Sequence, residues 1–526
     1  MLSDVKPPRA LHVSCCCCCA VCAVHCAQED TELATFQTDV LTSLGRVRGT
    51  TDHRTCSWKG IPYALPLESR LRFSPPEPLA RWNGTLDASR FGSIAPQRSL
   101  LRTKVGPDCL TLNIWSPAAD AKRRPVLFFI HGGAFSHGAG SESFYHGAYL
   151  ASRWDIVVVT CNYRLGIFGF LDFSLLDGSC SGNNGLRDVL TALRWTHDHI
   201  GDFGGDPQNI TIAGQSAGGT MVSALASMRD THRLYRQAIM MSGGPTQLQS
   251  RDSCRISSEA FVTLNGIETC NELYAADLQD LVTKQKRFMR KHGLGAATFR
   301  ITVDEDLVHE FPIVAARKGV MDHLPFLIGT TKEEMGFMAI KPLARLIDVG
   351  NIVNKGLEEE DPQIRQELLD TYVALYGEDR GIPMMYTDLL FRISSTWFAR
   401  NVASGQHAWM YRFDYETQIL RMNGFHAIHS SDLPYVFGNF KTALVRPMFL
   451  LTPDMSQVRA VADEVQQDIV SFMREGSLPW DPCTDEHPLG KCYDDPPTIG
   501  EMVDRRLDAL HDRTRYKYRS FHGISL

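Results

Sequence analysis

In Gly214-Gln215-Ser216-Ala217-Gly218 a serine stands between two glycines, the spacing of an activated nucleophile. The apolar run 210–213 precedes it, and the small, apolar, helix-compatible run 217–227 follows. A sharp strand-turn-helix passage of this kind lifts a serine hydroxyl clear of the backbone. Glycines 214 and 218 fit because a side chain there would meet neighbouring backbone. A helix beginning at the serine aims its free amides and positive end toward the site. The chemistry this permits is attack of Ser216 on an acyl carbon.

Such an attack makes an oxyanion, whose charge must be held by fixed donors. His131-Gly132-Gly133-Ala134-Phe135 follows the apolar run 126–130 directly. Its glycines let backbone approach a substrate and turn amides inward. The amides of Gly133, Ala134 and Ala217 are therefore assigned as oxyanion donors. The base is left open at this level. His426 and His429 both follow the apolar run 409–413, so position after a strand does not choose between them.

These groups need a rigid frame. Residues 126–130 are apolar on both faces, as in a central strand covered by helices. Runs 156–161, 210–213, 238–241, 325–328 and 409–413 read as further core strands, and 41–49 as a strand with a turn at Gly45. Between residues 186 and 200 the apolar positions recur at helical spacing. Strands alternating with helical segments predict an α/β fold with a mostly parallel sheet covered by helices on both faces. Residues from about 340 to 400 are helical in pattern and are expected to cap the sheet. No internal repeat or linker is visible.

Composition narrows the function further. A 526-residue chain, 44% apolar, can bury a large core without staples. A net charge of −6 and the lack of a basic stripe argue against nucleic acid as a partner. Seven of fifteen cysteines lie before residue 27, five of them in the run 15–19. With Lys6 and Arg9 ahead of a short apolar stretch, residues 1–27 read as a secretory signal peptide. That implies a secreted or extracellular protein, with residues 28–526 as a single domain. The alternatives are a retained, palmitoylated anchor, the one route to a membrane, or an unstructured leader. A lipoprotein signal is disfavoured because His25 precedes Cys26. Eight cysteines remain, and disulfides are expected, with Cys254–Cys270 and Cys483–Cys492 as local pairs. Cys161 reads as a small buried residue. No C-x-x-C pair follows the leader, so no zinc site is expected. Asn83 and Asn209 open two glycosylation sequons.

Seven stretches, in order, resemble the type-B carboxylesterase (carboxylesterase/cholinesterase) family. They begin at Gly60-Ile61-Pro62-Tyr63-Ala64, Asp108-Cys109-Leu110-Thr111-Leu112-Asn113 and His131 to Phe135. Asn162-Tyr163-Arg164-Leu165-Gly166 and Asn184-Gly185-Leu186-Arg187-Asp188 follow, then Phe203-Gly204-Gly205-Asp206-Pro207 and Gly214 to Gly218. The resemblance implies an α/β-hydrolase fold and a Ser…Glu…His order of catalytic residues. In Gly329-Thr330-Thr331-Lys332-Glu333-Glu334 the second acidic position, Glu334, is taken over Glu333. The family base precedes the glycine of a Val-Phe-Gly ending by nine residues and an acidic residue by three. Counting back from Gly438, with Asp432 in the acidic position, selects His429 over His426. Ser242 is expected to support the acid at most.

Departures from the family matter too. Ala134 stands where many relatives have glycine, which leaves the amide unchanged. The family's first disulfide lacks its partner for Cys109, because the expected position reads Ile94-Ala95-Pro96-Gln97. Gln215 replaces the glutamate of cholinesterases, and their choline-stacking tryptophan has no counterpart between residues 99 and 107. Cation–π recognition of a quaternary ammonium is thus not expected. The chain is closer to the para-nitrobenzyl-esterase-like branch. The expected reaction is hydrolysis of a small-molecule carboxylic ester through a serine acyl-enzyme, needing no metal or cofactor. The rival readings are a catalytically silent adhesion module and a lid-gated lipase.

Overall fold

The computed structural model describes residues 38–514, apart from residues 53, 99–103, 293–297, 340–356, 358–359, 444 and 453. The leader and part of the expected helical cap lie outside the described residues.

Eleven strands form the main sheet. In chain order they are β1 (Thr50–Thr51), β2 (Cys56–Pro62), β3 (Thr111–Ser116), β4 (Arg124–Ile130), β5 (Val157–Cys161) and β6 (Gly205–Gln215). β7 (Gln237–Met241), β8 (Phe326–Thr331), β9 (Ala408–Phe413), β10 (Leu489–Tyr493) and β11 (Thr498–Glu501) complete it. The spatial order is β11-β10-β9-β8-β7-β6-β4-β5-β3-β2-β1. Neighbours from β10 through to β5 run parallel. The margins, β1-β2-β3-β5 and β10-β11, are antiparallel. The α/β fold with a mostly parallel sheet is thus as expected. The 41–49 segment is likewise a hairpin, with 39–41 paired antiparallel to 46–48 around the turn.

The centre of the sheet shows why. Along β4, Val126, Phe128 and Ile130 pack into the core on one face, and Leu127 and Phe129 into the core on the other. All five are fully buried. Each such side chain contributes roughly 1.5–3 kcal/mol of burial, so a strand apolar on both faces is stable only with helices above and below. Among them are α1 (Asn184–His199), α2 (Ala217–Ala226) and α3 (Ser456–Glu475). Residues 362–401 are helical almost throughout, as expected of the cap.

Two of the motif stretches meet in the interior. Arg164, just after β5, forms a bidentate ion pair with Asp188 of α1, at 2.8 and 2.6 Å, and neither side chain is exposed. Its other guanidinium nitrogen donates to the carbonyls of Leu71 and Ser74 at 2.9 and 2.6 Å. The arginine thus ties the 71–74 loop to α1. Arg164→Ala would leave a buried carboxylate and several carbonyls unpaired, and is expected to cost about 3–5 kcal/mol of stability. Urea unfolding measures this. A loss within experimental error would show that the pair holds nothing together.

The disulfide expectation is corrected here. Among the described residues, none of the eight cysteines from Cys56 onward forms a disulfide, and all eight are buried. Cys254 Sγ donates to Phe170 O at 3.8 Å and Cys270 Sγ to Phe173 O at 3.6 Å, so the two thiols are aimed at different carbonyls. Cys483 lies beside Arg400 and Cys492 beside Arg412. Burial pushes the Cys254 thiol up to about 11 and that of Cys483 to about 12. Cys161 is a buried strand residue, as expected. The stretch 94–97, where a partner for Cys109 was expected, includes Gln97. Gln97 is buried, donates to Gly138 O at 2.8 Å and accepts from Gly138 N at 2.9 Å. Two hydrogen bonds thus pin the loop after β4. Asn83 is exposed, whereas Asn209 lies half-buried in β6.

Candidate active site

Parallel strands β4, β6, β7, β8 and β9 all end on one edge, and ligands of such sheets gather outside the carboxyl ends of the strands. Every candidate group lies on that edge. Ser216 follows β6 directly and precedes α2, with φ 57° and ψ −122°. That strained conformation is forced by close packing. A Cβ on Gly214 would come within 2.4 Å of Gly218, and one on Gly218 within 2.0 Å of Ile130 O. Neither glycine tolerates a side chain, because strand β4 and the first turn of α2 are nearly in contact. The Ser216 N–H donates to Met241 O of β7 at 2.9 Å, which fixes the turn against the sheet.

The 131–135 loop lies alongside because β4 and β6 are neighbours, with Ile130 paired to Gly214. Gly133, Ala134 and Phe135 all have positive φ, at 110°, 50° and 57°. Two amides, those of Ser136 and His137, donate to Gly133 O and close the turn, and the Gly133 and Ala134 amides make no hydrogen bond among the described residues. The Ala217 amide belongs to the first turn of α2 and has no helical partner. Among the described residues the three assigned donors have no hydrogen-bond partner, and the loop approaches the nucleophile at Gly132, where a Cβ would come within 3.1 Å of Ser216 Cβ. His131 is not an acid–base group of this loop. It is buried, stacked on Tyr163 at 4.3 Å between centroids, and its Nδ1 lies 2.7 Å from Gly132 O. Burial pulls its pKa down to about 4, so the ring is neutral.

Glu334 follows β8 and is fully buried. One carboxylate oxygen accepts from Thr331 N at 2.7 Å, and the other lies 2.6 Å from His429 Nδ1. The His429 backbone amide also donates to Glu334 O, at 3.1 Å. Glu333, by contrast, turns away into an ion pair with Arg380. Both glutamates are buried, so neither is a solvated surface acid. His426 faces Glu416, with Nδ1 3.2 Å from its carboxylate. Glu333, Glu416 and His426 bring possible ligand atoms within 4.8 Å of one another. Arg380, Arg421 and Lys332 already balance these acids, which makes the cluster an ion-pair network.

Behind the base loop, Asp432 is buried and accepts from Tyr411 Oη at 3.1 Å. Burial, and then the charge of Glu334, push its carboxyl up to about 6. Ser242, at the end of β7, is buried with its N–H on Gly329 O at 2.7 Å. Two neighbours of His429 were not foreseen. Phe391 lies 4.9 Å away between ring centroids, and Gln215 reaches Nε2 with its side-chain amide. Adjacency to Ser216 could have flagged Gln215. Nothing in the sequence brings Phe391 to a residue thirty-eight positions later.

A strained serine between a parallel strand and a helix, with a glycine loop on the next strand, defines an α/β-hydrolase. The carboxylesterase family model matches residues 37–488. The chain is 34% identical to the para-nitrobenzyl esterase of Bacillus subtilis over 83% of this chain and 90% of that protein. It is 33% identical to mouse carboxylesterase 3B over 68% and 67%. Among solved structures, a thermophilic PNB esterase superposes with a TM-score of 0.82 at 30% identity, covering 90% of this chain and 99% of that one. The chain belongs to the carboxylesterase family and is a carboxylic ester hydrolase.

Proposed function

We propose that the chain hydrolyses small-molecule carboxylic esters through an acyl-enzyme on Ser216. The observation that carries this reading is the 2.6 Å contact between His429 Nδ1 and Glu334, on the edge where Ser216 stands. Glu334 keeps the ring proton on Nδ1, so the unprotonated Nε2 is the nitrogen that acts as a base. His429 takes the Ser216 proton as Oγ bonds to the acyl carbon. Gly133, Ala134 and Ala217 amides hold the oxyanion, and the imidazolium then protonates the departing alcohol. Water, activated by the same imidazole, releases the acid. Gln215 places no charge beside the nucleophile, which favours neutral over quaternary-ammonium alcohols.

Alcohol partitioning tests the covalent intermediate. Aryl esters sharing one acyl group but differing in leaving group are hydrolysed in fixed methanol. A common acyl-enzyme gives the same ratio of methyl ester to acid for every substrate. A ratio that changes with the leaving group means that water attacks the ester directly.

A further inference from the structure

Gln215 is the last residue of β6 and is 2% exposed. Its amide nitrogen lies 3.2 Å from His429 Nε2 and 2.8 Å from Ser430 Oγ. Glu334 engages Nδ1, so the lone pair of Nε2 faces the amide and accepts from it. A primary amide has two N–H groups, and the second serves Ser430. On its other side, Gln215 Oε1 would stand 2.8 Å from a Cβ on Gly132, so the side chain is wedged against the oxyanion loop. One uncharged side chain therefore spans the nucleophile strand, the oxyanion loop and the base loop. Among the described residues, the hydrogen-bond partner of Nε2 is Gln215 and not Ser216.

We propose that Gln215 is a positioning residue that holds the His429 ring by Nε2 in the resting enzyme and yields that nitrogen to the proton of Ser216 during acylation. This rests on the triad proposed above. When Ser216 Oγ bonds to the acyl carbon, its proton goes to Nε2, which can no longer accept from the amide. The bond to Ser430 persists and keeps the side chain in place for the ring's return. Among the described residues, the groups that meet or act on His429 include Glu334 after β8, Asp432 from its own loop, the Phe391 ring from the π-helical stretch 388–392, and Gln215. Of these, Glu334 engages Nδ1 and Gln215 engages Nε2.

The test uses the full chain with Gln215→Glu and Gln215→Ala, each checked by thermal melting and by fluorophosphonate titration of Ser216. Rates on a neutral p-nitrophenyl ester are followed from acid to mildly alkaline pH. A carboxylate at Nε2 favours the imidazolium, so Gln215→Glu moves the acid limb of kcat/KM up by about one pH unit or more. Gln215→Ala removes a donor that favours the neutral ring, so it moves that limb up by less than the glutamate does, and it lowers kcat with little change in KM. A purely packing role would lower the melting temperature of both variants without moving the limb. The inference is overturned if the glutamate variant's limb coincides with wild type, or if the alanine variant keeps wild-type kcat. Should the glutamate variant not fold, the alanine variant decides by kcat. Wild type that takes no label on Ser216 removes the triad and this inference together. A labelled wild type with an unmoved limb removes this inference alone.

Discussion

Ser216→Ala is expected to lower kcat by about 10⁴–10⁶-fold while the protein stays folded. The fold should survive because the strain at residue 216 resides in its backbone, whose N–H is held by Met241 O. Alanine keeps that amide and removes only the hydroxyl. Packing of Gly214 against Gly218, and of Gly218 against Ile130, is untouched. Binding of neutral esters should persist, because the Gly133, Ala134 and Ala217 amides remain. Assay of the purified variant, with circular dichroism as the folding check, measures this. Activity near wild type would refute the nucleophile.

The second large effect separates two histidines three residues apart. His429→Ala should collapse activity, since general-base transfer alone contributes about 10²–10⁴-fold. His426→Ala should keep a substantial fraction. His429 has the buried carboxylate of Glu334 on Nδ1 and leaves Nε2 toward the nucleophile strand. His426 points to Glu416, inside a network that Arg380, Arg421 and Lys332 already balance. Losing it perturbs that network and not the base. The reverse pattern in folded variants would move the catalytic role to His426.

The residues that the sequence brings close in space were readable because strand order is partly local. β4, β5, β6 and β7 are apolar runs separated by helical spacing, and a parallel sheet is their simplest packing. Ser216 and the 131–135 loop each sit at the end of such a run, so their place on one edge of the sheet could be read from type and spacing. Glu334 and His429 could not. Two glutamates and two histidines stand in equivalent local settings, and a family register had to choose. The physical distinction lies in what each one faces, which tertiary packing decides: Arg380 for Glu333, and Glu416 for His426. The cysteines failed for the same reason. Spacing gives proximity along the chain but not the direction of a thiol, and Cys254 and Cys270 are turned toward separate carbonyls. Gln97 and Gln215 were noticed only as departures, although each hydrogen-bonds a loop of the site.

The most direct measurement is peptide mapping by mass spectrometry after a fluorophosphonate has reacted with the folded protein. One equivalent of adduct is expected on Ser216, with none on the Ser216→Ala variant and strongly slowed labelling of His429→Ala. A folded sample that takes no adduct, or carries it on another residue, would contradict Ser216 as the nucleophile.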